Sequence, residues 1–345
     1  MTTITMTKKM ITPKMITTIK KKEVRKSNTY KFVILTVLAV LAVVLYLTAG
    51  VRFDNPRLFQ YAMSLRIPKV MVMLIVAFCI GGASMVFQSI INNTIVTPCL
   101  LGMNSLYTLI HTAIVFLLGS GSLVARNTNM AFAVDLLLMG IIATFIYSYM
   151  FKKTKYNVLY VLLIGTVLTS FFTSVQTTMI RAMDPNEYDT LLATLVASFS
   201  NINAEIILLS VVLMALVILG LRKDLEVLDV ITLGKEQAIN LGVDYDRVIK
   251  RLLLGVVLFI AIATAMVGPI SFLGLIIANL ARQLLKTYRH SQLILGSTLF
   301  GVVLLTGGQL IVERVFVYSI PISVFITVGG GLYFLYLLFT QKRRT

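Results

Sequence analysis

Charge is what this chain has least of. Only 13% of its 345 residues are charged, and the acids number 14 against 31 Lys and Arg. Cysteine occurs twice, at Cys79 and Cys99, in or beside apolar runs. That excludes a disulfide framework or a thiolate metal site and leaves both as small packing hydrophobes. His111 and His290 are far apart with no partner at metal-ligand spacing, so no metal and no other cofactor is expected. No phosphate-cradling GxxxxGK[ST] loop is present, which denies the chain a nucleotide site of its own. A membrane-embedded enzyme would need a His/Asp/Glu cluster, and none is seen, so no catalysis is expected.

What is present is apolar side chain, 58% of the total, far beyond the composition of soluble domains. Runs bounded by charge or by Gly and Pro predict ten helices, at about 32–50, 70–91, 98–118, 130–151, 158–180, 204–221, 249–267, 271–285, 293–311 and 319–340. A bilayer crossing needs roughly 20 apolar residues. The third and eighth runs are short and open at Gly or Pro, as half-length or tilted elements buried among the others would. The expectation is an all-α polytopic membrane protein: a basic tail at 1–31, a membrane domain at 32–340 with a polar loop at 222–251, and a short end at 341–345.

The basic residues orient it. Nine lie in the first 31 positions against one acid, Glu23, and no apolar h-region makes this a cleavable signal. No aromatic platform accompanies them, so the partner is the anionic membrane lipid surface and not nucleic acid. With ten spans and both termini cytoplasmic, 24 of the 31 basic residues fall on the cytoplasmic side. The seven outside are Arg52, Arg57, Arg66, Lys69, Arg126, Arg181 and Arg314.

Asp135 and Glu205 are the only acids placed in spans, each read as interfacial. Proton- or ion-coupled carriers keep ionisable groups at mid-membrane. Their scarcity disfavours the alternative reading, a self-contained secondary transporter or channel for a small polar solute, and puts the energy source in a partner. The segment "LDVITLGKEQAINLGVDYDRVIKR" at 228–251 is where a partner would act. From Gly234 it is rich in helix formers, Gly242 suits a left-handed cap, and Leu233, Ala238 and Leu241 offer an apolar side. It is either a surface helix closing a loop or a coupling helix seated in an ATPase. On the fifth span Thr166, Ser170, Thr173 and Thr177 share one face, with Gln176 adjacent. They either line a conduit or bond back to their own helix. Gln88, Asn92 and Asn93, at the inner end of the second span, stand under the same two readings. The in-span methionines Met71, Met73, Met85, Met103 and Met139 are read as packing filler.

"LGKEQAINLG" followed by "GPISFLGLIIANLAR" (268–282) resembles the paired phrases LGxExAxxLG and GPIxFVGLxxPHxxR of FecCD/BtuC-type permeases, the membrane subunits of ABC importers for iron–siderophore, haem and cobalamin. "RIPK" (66–69) resembles their RLPR, "QSIINNTIVTPCLLG" (88–102) their Q-x3-RNPLA-x-P-x2-LG, and "IPISVFITVGGGLYFLYLL" (320–338) their carboxyl-terminal phrase. The resemblance runs over about 60 to 340. Asn92, Thr94, Ala278, Asn279, Gln309 and Leu332 depart from the pattern. It implies a ten-helix permease of the bacterial cytoplasmic membrane that imports a ferric siderophore and is not an enzyme. Its implied partners are two ATPase subunits, an extracytoplasmic substrate-binding protein and a second permease, identical or paralogous. Leu233, Gly234, Glu236, Ala238, Leu241 and Gly242 would meet the ATPase. Arg66 and Lys69, with Arg314 as third member, would receive acids of the binding protein, headgroup snorkelling being the alternative. Gln88, Asn93, Thr166, Ser170, Thr173, Gln176 and Thr177 would border the path.

Overall fold

The computed structural model describes residues 13–51, 53–123, 127–154, 158–199 and 204–341. Lys8, Lys9, Arg52, Arg126, Lys155 and the carboxyl-terminal Lys342, Arg343 and Arg344 of the charge argument lie outside the described residues.

The described chain is helical: α1 Pro13–Thr48, α2 Pro56–Ile91, a 3-10 turn Pro98–Leu101, α3 Met103–Leu118, α4 Thr128–Lys153, α5 Val158–Ala182 and α6 Pro185–Leu195. There follow α7 Ala204–Ile231, α8 Lys235–Asn240, α9 Tyr245–Val267, α10 Leu273–Leu284, α11 His290–Arg314 and α12 Ile322–Gln341. Seven of these are long and apolar enough to cross a membrane, and α3, α10 and the stretch Ile322–Leu337 of α12 are shorter apolar helices. Together they match the ten expected runs, and α3 and α10 are the half-length pieces.

Three boundaries differ from expectation. The second helix begins at Pro56 and not near 70, running 36 residues or about 54 Å. Asn55 caps it by accepting from the amides of Arg57 and Leu58 at 3.0 and 3.5 Å, and Pro68 sits inside it at the cost of one ladder bond. "RIPK" is therefore helical, not a lead-in. α7 also continues ten residues past the expected end of its span, supported by the Arg222–Glu226 pair at 3.7 Å and by Asp224 with Arg251 at 3.6 Å. The basic tail departs as well: α1 starts at Pro13. Midway along it Asn28 and Lys31 donate to the carbonyls of Lys286 and Leu284, at 3.2 and 2.9 Å, closing the C-terminus of α10.

α2 is the centre of the bundle, packed by α11, α9, α10 and α7. Apolar side chains meet apolar lipid as readily as each other, so close backbone approach has to hold such a bundle. At the α2–α11 seam a Cβ on Gly301 would fall 2.9 Å from that of Ala77. The outward faces of α1, α5 and α7 carry exposed Leu38, Leu41, Leu163, Phe171, Leu208 and Leu216, a belt suited to hydrocarbon.

Between α9 and α10 the chain is broken over residues 268–272. Gly268 sits at φ 88° against the backbone of Ala197, and Phe272 is left-handed at φ 62°. Ser198 donates its amide to the Val267 carbonyl at 2.9 Å, satisfying the end of α9. These conformations are the physical content of the "GPISF" phrase.

Candidate functional site

The ends of α2, α7 and α10 and the starts of α9 and α11 gather at one end of the bundle, where α8 packs on α7 and α9. Gly234 enters α8 at φ 102°, and Gly242 leaves it at φ 81°. The exit is a Schellman cap: the Val243 amide donates to Ala238 at 3.0 Å and that of Gly242 to Ile239 at 2.9 Å. Lys235 clips the helix to α9, 2.8 Å from Asp246 and 5.7 Å from the Tyr245 ring. Ala238 is buried against the domain, whereas Leu233, Ile239 and Leu241 are each more than half exposed. The expected apolar side is thus split. Ala238 faces inward, and the two leucines face out with Ile239, a residue the sequence reading missed. Glu236 is exposed beside them.

At the opposite end the three expected docking cations have internal partners. Arg66 Nη1 donates to the carbonyls of Tyr46 and Leu47, both at 2.9 Å, and Arg314 donates to that of Ala49. Both close the last turn of α1, where carbonyls lack helical partners. Lys69 lies 3.3 Å from Glu313, with side chains only 13% and 7% exposed, and 5.5 Å over the Tyr318 ring. Glu313 also accepts from the Tyr46 hydroxyl at 2.8 Å and Gln309 Nε2 at 3.1 Å. Lys69 reaches no outside carboxylate unless Glu313 releases it. Arg314 remains exposed, next to exposed Val315, Val317 and Tyr318.

On α5, Thr166, Ser170, Thr173 and Thr177 form an exposed stripe. Each hydroxyl donates to its own helix, at 2.8, 3.2, 2.8 and 2.8 Å. The two readings are therefore compatible: the stripe is bonded back and still bare. Gln176 accepts from Thr108 at 3.0 Å. Gln88 is buried and holds the Thr94 carbonyl at 2.8 Å, which Asn279 also holds at 2.7 Å. It braces the 92–97 loop and does not open on a surface. Asn93 turns that loop by accepting from the Ile95 amide at 2.9 Å, and Asn92 is the left-handed cap of α2.

Asp135 has an internal partner. It is buried between α3 and α4, 2.9 Å from His111 Nδ1, and the His111 ring stacks on Tyr107 at 4.8 Å. His290 likewise meets Asp229, tying α11 to α7. Glu205 is exposed and hydrogen-bonds Asn129. Among the described residues no three His, Cys, Asp or Glu converge as a metal site would require.

A bundle of ten apolar helices among the described residues, with bonded-back hydroxyls on one face and a short capped helix edged by bare Leu233, Ile239 and Leu241 at one end, is built as a membrane permease. The chain belongs to the FecCD transport family, whose model matches residues 30–340. It is similar to the petrobactin import system permease protein YclO of Bacillus subtilis, 40% identical over 316 residues, covering 92% of this chain and 99% of that protein. It is also similar to the petrobactin import system permease protein FatC of Bacillus anthracis, 30% identical over 329 residues, covering 93% and 91%. Its fold is that of a solved protein assigned as a metal-chelate type ABC transporter in an inward-facing conformation, with TM-score 0.76 and 22% identity over 90% of this chain and 99% of that one. The chain is therefore a transporter and not an enzyme, a multi-pass protein of the cytoplasmic membrane. As an ABC importer permease it works with ATPase and substrate-binding partners.

Proposed function

We propose that this chain is one of two permease subunits, identical or paralogous, of an importer that moves a ferric siderophore, energised by two ATPase subunits. The observation that carries the reading is α8: Ile239 on this short capped helix and Leu233 and Leu241 flanking it lie bare at one end of the bundle. Such side chains are stabilised by a partner's cleft, and a protein partner can push on them. That end is cytoplasmic, as are both termini, which the clustering there of Lys152, Lys153, Lys250 and Arg251 supports. The cargo class is taken from the petrobactin import permeases at 40% and 30% identity.

The segment 222–251 is the coupling region of the membrane domain 32–340. Leu233, Gly234, Glu236, Ala238, Leu241 and Gly242 shape it. The bare α5 stripe, Thr166, Ser170, Thr173 and Thr177 with Gln176, borders the path. At the far end Arg314 is the exposed cation for an acidic residue of the binding protein, while Arg66 and Lys69 hold the last turn of α1 and the 315–319 loop beneath it.

The test is uptake of iron-labelled siderophore by proteoliposomes holding the permease with its ATPase and binding protein. Ile239→Asp with Leu241→Asp should lower ATP-driven uptake roughly tenfold or more. Unchanged uptake with intact ATPase association overturns the reading. The buried His111–Asp135 pair favours a second reading, a carrier driven by protons. Uptake driven by a pH gradient without ATP would select it.

A further inference from the structure

A groove of about 660 Å³ opens on the outside of the bundle between α4 and α9, lined by Gly140, Ile141, Thr144, Phe145, Ser148, Tyr149, Lys152 and Lys250. Its shape follows from sequence spacing. Gly140, Thr144, Ser148 and Lys152 recur every four residues and form the floor, while Ile141, Phe145 and Tyr149, all well exposed, form a wall one position on. A glycine at one end of the floor keeps the groove deep, since nothing lies within 4 Å of where its Cβ would be.

The polar groups at this groove lack protein partners among the described residues. The hydroxyls of Thr166, Thr169, Ser170, Thr173, Thr177 and Thr178 on α5 all donate to their own helix. Those of Thr144 and Ser148 make no hydrogen bond among the described residues, and neither Lys152 nor Lys250 has an ion pair there. Nearby Arg251, Lys235 and Arg247 are each paired with an aspartate. Two unpaired cations from different helices therefore close one end of an apolar trough, and two unspent hydroxyls lie deeper along it.

The order of groups matches one class of molecule. From Lys152, Ser148 lies one turn deeper, about 6 Å, and Gly140 about 18 Å deeper. One leaflet of hydrocarbon is about 15 Å thick, with the polar layer outside it. Charge at one end and, running inward from it, a strip of hydroxyls flanked by an apolar wall is the reverse print of a phosphate, a glycerol ester and an acyl chain. We infer that the α4–α9 groove retains one anionic phospholipid, with Lys152 and Lys250 serving its phosphate, Ser148 its ester region and Ile141, Phe145 and Tyr149 an acyl chain. The assignment of this lipid to the inner leaflet rests on the proposed orientation; the site itself does not. Because α9 also carries the clip to α8, the lipid would lie against the helix next to the coupling segment.

The experiment uses the intact importer, permease with ATPase, in nanodiscs of phosphatidylglycerol mixed with phosphatidylcholine, and counts retained lipids by native mass spectrometry. The wild type should retain phosphatidylglycerol over phosphatidylcholine by on the order of ten- to thirtyfold, from two cations near the surface. Lys152→Gln with Lys250→Gln should abolish that preference, and Lys152→Arg with Lys250→Arg should keep it. Gly140→Trp, with both lysines intact, should lower retention by filling the groove. Equal retention of the two lipids by the wild type, an unchanged preference in the double glutamine variant, or displacement by inorganic phosphate alone would each overturn the site. Lost preference in the wild type with normal ATP-driven uptake counts against the lipid and leaves the permease reading; the converse result counts against the permease reading alone.

Discussion

A methyl group at position 268 has nowhere to go. Gly268 combines φ 88° with a Cβ position 3.0 Å from the Ala197 Cα, so Gly268→Ala should cost about 1–3 kcal/mol, read as a lower melting temperature in detergent. The Lys69–Glu313 pair makes a second test at this scale. Both side chains are nearly buried, so Glu313→Ala should destabilise by about 3–5 kcal/mol by stranding a cation, whereas Lys69→Met with Glu313→Leu should cost much less. A denaturation series over the two variants checks the order. Residue types were legible in the sequence at these positions, but their partners were not. Nothing local to Lys69 announces Glu313, 244 residues away, and nothing local to Asp135 announces His111, which α3 brings beside it. Docking was assigned to three cations of which two, Arg66 and Lys69, are largely spent on the fold.

Elements were legible wherever apolar runs end in charge, because crossing lipid without internal backbone bonding is too costly for any other structure. They were misread where punctuation is ambiguous. Pro68 reads as a boundary, yet α2 carries it as an interior proline, and Arg222 reads as a span end although α7 continues on ion pairs with Glu226 and between Asp224 and Arg251. α8 shows the opposite case: two glycines at the spacing of its two caps predicted the helix, Gly242 being needed for the Schellman exit and Gly234 for its φ of 102° at the entry. Gly242→Pro removes the amide bonded to Ile239 and forbids φ 81°, so α8 should lose its exit and ATP-driven uptake should disappear while the protein still reaches the membrane. Uptake at the normal rate would count against the coupling role. At the far end, Arg314→Glu should weaken association with the binding protein in a pull-down, with an effect that shrinks at high salt.

For the whole molecule, the decisive comparison is between the permease alone and the permease with its partners. Reconstituted by itself, the chain should equilibrate a ferric siderophore at most; with ATPase and binding protein it should accumulate it, and accumulation by the lone chain would end the proposal. If the bare stripe on α5 borders the path, as proposed, it bears on how fast a cargo moves. Four hydroxyls whose protons are already committed to the backbone present only lone pairs. A chelate whose outer oxygens act as acceptors would find no donor there to hold it. On that proposal the surface is slippery toward such a load, and transit along it would involve little sticking and little sliding friction.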